Sequence, residues 1–101
     1  MTSYHLTCSS YRFNCDRTTD SWEEICKTQS MDTVLEWLTD IAQNRSYDTY
    51  QIHMYEITDR TIKSVLQYTV DCCTMKVEVE KNKFNINLND FLPKDRYFYI
   101  K

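Results

Sequence analysis

Glycine is absent from all 101 residues, and proline occurs once, at Pro93. Each gap removes function classes. A phosphate-cradling P-loop, a dinucleotide-binding fingerprint and a G-x-S-x-G nucleophile elbow all need backbone that only glycine tolerates. Collagenous repeats and Gly/Ser linkers go with them. Long apolar runs are missing too: nothing approaches the roughly 18 residues of a membrane span, so no membrane partner is expected. The N-terminus, MTSYHLTCSS, lacks the basic region and apolar stretch of a secretory signal. The expected location is therefore cytoplasmic, and the sequon Asn44-Arg45-Ser46 carries no meaning there.

What remains is the composition of one globular domain over residues 1–101, with 42% hydrophobic and 27% charged residues. A chain of about 100 residues buries roughly two-thirds of its unfolded surface, enough for a real core. The five cysteines are Cys8, Cys15, Cys26, Cys72 and Cys73. An odd count, a vicinal pair and no C-x-x-C argue against a disulfide framework or a zinc ribbon. They are expected to be reduced thiols used as small hydrophobes.

Periodicity divides the chain. Tyr4, Leu6, Cys8, Tyr11 and Phe13 mark a first strand over 4–13. Ser21-Trp22-Glu23-Glu24 fits a capping box, which predicts a short helix over 21–27. Met31, Val34, Leu35, Leu38, Ile41 and Ala42 recur at spacings of three and four, predicting the main helix over 30–44. Asp32 and Arg45 suit the two ends of its dipole, and Asn44 can take the left-handed conformation that closes a helix.

From Tyr47 the period becomes two: Tyr50, Ile52 and Met54 alternate with Gln51, His53 and Tyr55. Residues 58–61 break this run as a turn. Leu66, Tyr68, Val70 and Cys72 then alternate with polar neighbours. Ile62, Val65, Leu66 and Val70 also lie at helical spacing, so a helix is the alternative for 61–73, although β-branched and aromatic content favours a strand. Val77 and Val79, a turn at 81–83, then Phe84, Ile86 and Leu88 read as a hairpin, and 96–101 as a closing strand. Alternating strands and one amphipathic helix predict an α+β fold. Its two layers are an antiparallel sheet of about four to six strands and helices on one face.

Chemistry is thinly represented. His5, His53 and the cysteines offer no spacing that closes a metal chelate; His5 and Cys8, three apart on a strand, face opposite ways. A cysteine nucleophile assisted by His53 is the enzyme reading, but His53 falls on the face expected to meet solvent. No catalytic, metal or cofactor-binding residue is expected, and no cofactor. Basic residues are scattered and the net charge is −3, the wrong sign for direct nucleic-acid binding.

The negative charge is localised. Residues 16–48 carry a net −5, whereas 49–101 carry +1. Asp32, Glu36 and Asp40 are four apart, so they form a ridge opposite the apolar stripe of the main helix. Neighbours at that spacing lie roughly 6 Å apart, and like charges there contribute nothing to folding. Such a ridge can stand in for a row of phosphates. The expected partner is a protein with a basic surface, including one that belongs to a nucleic-acid-binding complex. Trp37 lies beside the ridge, either as an anchor or as a half-buried core residue.

In style, though in no aligned segment, the chain resembles small phage-encoded inhibitors of host machinery, anti-CRISPR and anti-restriction proteins among them. It shares their small size, single domain, acidic face and want of a catalytic signature. The resemblance implies a non-enzymatic binding module that occludes a partner's surface, in the cytoplasm of a host cell. An accessory subunit joined to an assembly through its polar sheet face or an edge strand is the alternative.

Overall fold

Strand β3 (Thr49–Ile57) organises the molecule, because Tyr50, Ile52 and Met54 are buried while their neighbours on either side along the strand are not. The computed structural model describes residues 1–11, 23–45 and 47–100. On one side β3 pairs along nine positions with β1 (Ser3–Tyr11), antiparallel, placing Leu6 opposite Met54 and Cys8 opposite Ile52. On the other it pairs with β4 (Ile62–Asp71), setting Tyr68 beside Ile52 and Val70 beside Tyr50. The β3–β4 turn is closed by Thr58 N–H donating to the Thr61 carbonyl at 2.9 Å. Strands β2 (Glu23–Thr28), β5 (Lys76–Asn82) and β6 (Tyr99–Ile100) complete a six-stranded sheet in the order β2-β1-β3-β4-β5-β6. Among the described strands, β5 and β6 are the one parallel pair.

Helix α1 (Met31–Asn44) follows β2 directly, with the Ser30 hydroxyl accepting from Thr33 N–H at 3.3 Å as its N-cap. Val34, Leu38, Ile41 and Ala42 are buried, and the first three join Leu6, Ile52, Met54 and Tyr68 in one core. The fold is α+β, with one main helix on one face of an open, mostly antiparallel sheet. After β5 a 3-10 turn (Leu88–Phe91) lies against α1 and buries Leu88, with Leu92 just beyond. That crossover lets β6 lie parallel to β5, since parallel neighbours need a connection of roughly a dozen residues or more.

Four local expectations are corrected. The short helix over 21–27 does not form: Glu23–Thr28 is strand β2, with Cys26 opposite Leu6 and Thr28 opposite Tyr4. Pairing with β1 outweighs a local capping signal whose Ser21 and Trp22 lie outside the described residues. Phe84, Ile86 and Leu88 form no strand. Asn85 sits at φ 52°, and the Asn82 side chain holds Ile86 N–H at 3.0 Å and Ile86 C=O at 2.9 Å, turning the chain away. The closing strand shrinks to Tyr99–Ile100, because the other residues of the expected run, Arg96 to Phe98, do not pair; Lys101 lies outside the described residues. Asn44 is not left-handed. Helix α1 ends at Arg45 in extended geometry (φ −115°, ψ 146°), and the Asn44 amide instead donates to Asp40 at 2.7 Å. The first strand is described as far as Tyr11, and residues 12–13 of the expected run lie outside the described residues.

Candidate functional site

The ridge is built by α1. Asp32 and Glu36 are exposed one turn apart, on the side away from Val34, Leu38 and Ile41. Neither makes an ion pair among the described residues. Asp40 differs. One of its oxygens accepts from Asn44, and the other lies 3.6 Å from Arg45 Nε. Arg45 also reaches Glu23 at 3.2 Å and donates to the Tyr47 hydroxyl at 3.3 Å. The Tyr47 hydrogen bond, with help from Glu23 and Asp40, raises the guanidinium pKa against the opposing effect of burial. The expected three-carboxylate ridge is thus two open charges and one compensated charge. Trp37 is half-buried and packs against the core, which leaves only part of its ring to meet a partner. A clue to the compensation stood in the sequence, since Asn44 lies four residues after Asp40 and Arg45 follows at once.

A second surface is the sheet face that α1 leaves uncovered. Strand register puts His5, Thr7 and Ser9 of β1 beside Tyr55, His53 and Gln51 of β3, which adjoin Ser64, Gln67 and Thr69 of β4. None of these nine is Asp, Glu, Lys or Arg, whereas Glu24 and Lys27 flank them on β2 and Glu78 and Lys81 on β5. The centre is cross-linked. His53 Nε2 lies 2.7 Å from Ser64 Oγ, its Nδ1 lies 3.2 Å from the Tyr55 hydroxyl, and Thr7 Oγ1 donates to the His53 carbonyl at 3.1 Å. The His53 and Tyr55 rings are 4.2 Å apart. Burial lowers the His53 pKa, and the Lys81 ammonium lowers it further against a weaker opposing pull from Glu80. His5 lies 3.6 Å from Glu24, beyond hydrogen-bond range.

Among the described residues the thiols and this histidine are not brought together. Cys8 and Cys72 belong to the core on the other face of the sheet, while Cys73 is exposed in the turn after β4. Burial pushes the Cys8 thiol up to about 11 and raises Cys26 and Cys72 as well, so none of the three is poised as a thiolate nucleophile. Cys15 lies outside the described residues. Among the described residues no three His, Cys, Asp or Glu side chains group to hold a metal ion, and no helix is long and apolar enough to cross a membrane. No family model matches the chain, and neither the curated proteins nor the solved structures yield a match.

Proposed function

We propose that this chain is a non-enzymatic binding module that occludes a basic protein surface, one that otherwise holds nucleic acid, in the cytoplasm of a host cell. The observation that carries the reading is the pair Asp32 and Glu36, exposed on α1 without a counter-charge among the described residues. Two carboxylates one helical turn apart, their Cβ atoms roughly 6 Å from one another, offer a lysine- or arginine-lined groove a short row of negative charge, as a phosphate backbone does. Tyr97 and Tyr99, 98% and 66% exposed, offer large contact area at small entropic cost. The test is competition. A partner captured from the native host is mixed with its nucleic acid, and the chain should displace it while Asp32→Lys/Glu36→Lys should not. Equal displacement by both proteins would sink the reading.

A second reading is favoured by the uncovered sheet face: an accessory subunit that joins an assembly there. Interfaces tend to have a charge-poor centre and a polar rim, as this face has. Such an assembly should tolerate salt that dissolves a ridge-driven complex.

A further inference from the structure

The uncovered sheet face is ordered in charge. Strand register lines up Glu24 of β2, Thr7 of β1, His53 of β3, Gln67 of β4 and Lys81 of β5 in one row across the sheet. Both end groups are exposed and belong to this face. Glu24 lies 3.6 Å from His5 Nε2, and the Lys81 ammonium acts on the His53 ring. The contacts of Glu24 with His5 and Lys27 are loose, both at 3.6 Å, and Lys81 makes no ion pair among the described residues. Strand β3 is the middle one of β2-β1-β3-β4-β5, so the row runs from minus to plus about its own centre. Strands about 4.8 Å apart hold its two ends roughly 19 Å from each other, too far to pair within one chain.

Resting on the accessory-subunit reading for the face itself, we propose that its occupant is a second copy of this chain, docked face to face about a twofold axis that runs along β3. That rotation lays β2 over β5 of the second copy and β1 over its β4. Glu24 then meets Lys81 of the second copy, Lys81 meets its Glu24, and Thr7 and Gln67 meet in the same reciprocal way. Stacked sheets lie about 10 Å apart, a gap that glutamate and lysine side chains reaching from opposite sides can close. Charge also selects the axis. A twofold along the row would set Glu24 against Glu24 and Lys81 against Lys81, and like charges opposed across an interface reject that orientation. Between the two ends the face is free of Asp, Glu, Lys and Arg, and burial and then Lys81 lower the pKa of His53, so it is neutral where it meets its own mate at physiological pH. The end pairs fix partner and orientation, while covering Tyr55, His53 and the threonine methyl groups supplies most of the affinity. Helix α1 lies on the opposite face, so Asp32 and Glu36 stay open in the dimer.

The experiment is sedimentation equilibrium of the full chain up to about 0.5 mM, a range that captures a dimer of micromolar affinity. Wild type should dimerise. Glu24→Lys and Lys81→Glu should each weaken the dimer at least roughly tenfold, because each sets two like-charged pairs across the interface. An equal mixture of the two variants should dimerise again, since the heterodimer restores both attractive pairs, and so should the double swap Glu24→Lys/Lys81→Glu. Gln67→Lys, which brings a charge to the neutral centre, should dissociate the dimer and decides the matter if a single reversal fails to fold. A wild type that stays monomeric, single reversals that dimerise as wild type does, or a mixture that stays monomeric would overturn the proposal. A monomeric wild type whose binding to a captured host assembly is lost in Gln67→Lys would overturn the second copy as occupant and leave the accessory-subunit reading standing.

Discussion

Replacing Leu38 by alanine tests the layer arrangement on which every surface assignment depends. Leu38 is 1% exposed and sits between α1 and the sheet, in the cluster that holds Leu6, Ile52 and Met54. Truncation there removes buried methyl groups and leaves a cavity, costing roughly 2–5 kcal/mol. Taking about 3 kcal/mol, and an unfolding entropy of about 0.2 kcal/mol per degree for a chain of this size, the melting temperature should fall by about 15 °C. The urea midpoint should drop by about 1–3 M without a change in slope. Glu36, two residues away but exposed, should change stability by no more than about 0.5 kcal/mol when made alanine. Paired urea and thermal melts on the two variants make the comparison. Equal damage, or a Leu38→Ala cost below about 1 kcal/mol, would refute the assignment of the faces of α1.

Other outcomes rest on single features. Met75 holds φ 60° in the β4–β5 turn, where a side chain is unfavourable, so Met75→Gly should raise stability by about 0.5–1 kcal/mol in denaturant melts; a loss would mean that its side-chain packing outweighs the strain. Iodoacetamide at neutral pH should alkylate exposed Cys73 well before buried Cys8, as read by peptide mass spectrometry; faster labelling of Cys8 would contradict its place in the core. His53 has a folded-state pKa below its unfolded value near 6.5, so the unfolded state binds the proton more readily and stability falls as pH drops below about 6.5. The loss levels off once pH passes below the folded value, and His53→Gln should flatten that part of a stability–pH curve. An unchanged curve would remove His53 as its cause.

The helix and the central strands were legible in the sequence because their apolar period coincides with one buried face. Tyr50, Ile52, Met54, Leu66, Tyr68 and Val70 alternate as read, and the strand prevailed over the helix at Ile62–Asp71 because its β-branched and aromatic residues pack across strands on both sides. Legibility failed where a local signal competed with a distant partner. Glu23 and Glu24 look like a first helical turn, yet they and Cys26 pair with β1, a strand about twenty residues away. Phe84, Ile86 and Leu88 alternate, but the asparagines at 85, 87 and 89 are poor strand residues, and Asn87 caps a 3-10 turn instead. The acidic spacing on α1 was legible, though not the coupling of Asp40 to Arg45. The row from Glu24 to Lys81 was not legible at all. Its residues come from five strands, which only the fold unites.

Association kinetics test the proposed function most directly. Wild type and Asp32→Lys/Glu36→Lys are compared against the captured partner at about 0.05 M and about 0.5 M salt, leaving Asp40 intact because it supports Arg45. Exposed interfacial charges act mainly on the encounter rate. The account predicts that the variant keeps its fold, with a small loss from Asp32 at the helix N-terminus, and associates more slowly at low salt. The two rates should converge at high salt. Equal association rates at low salt, with the fold preserved, would contradict it and move the interface to the sheet face around Gln51, His53 and Tyr55.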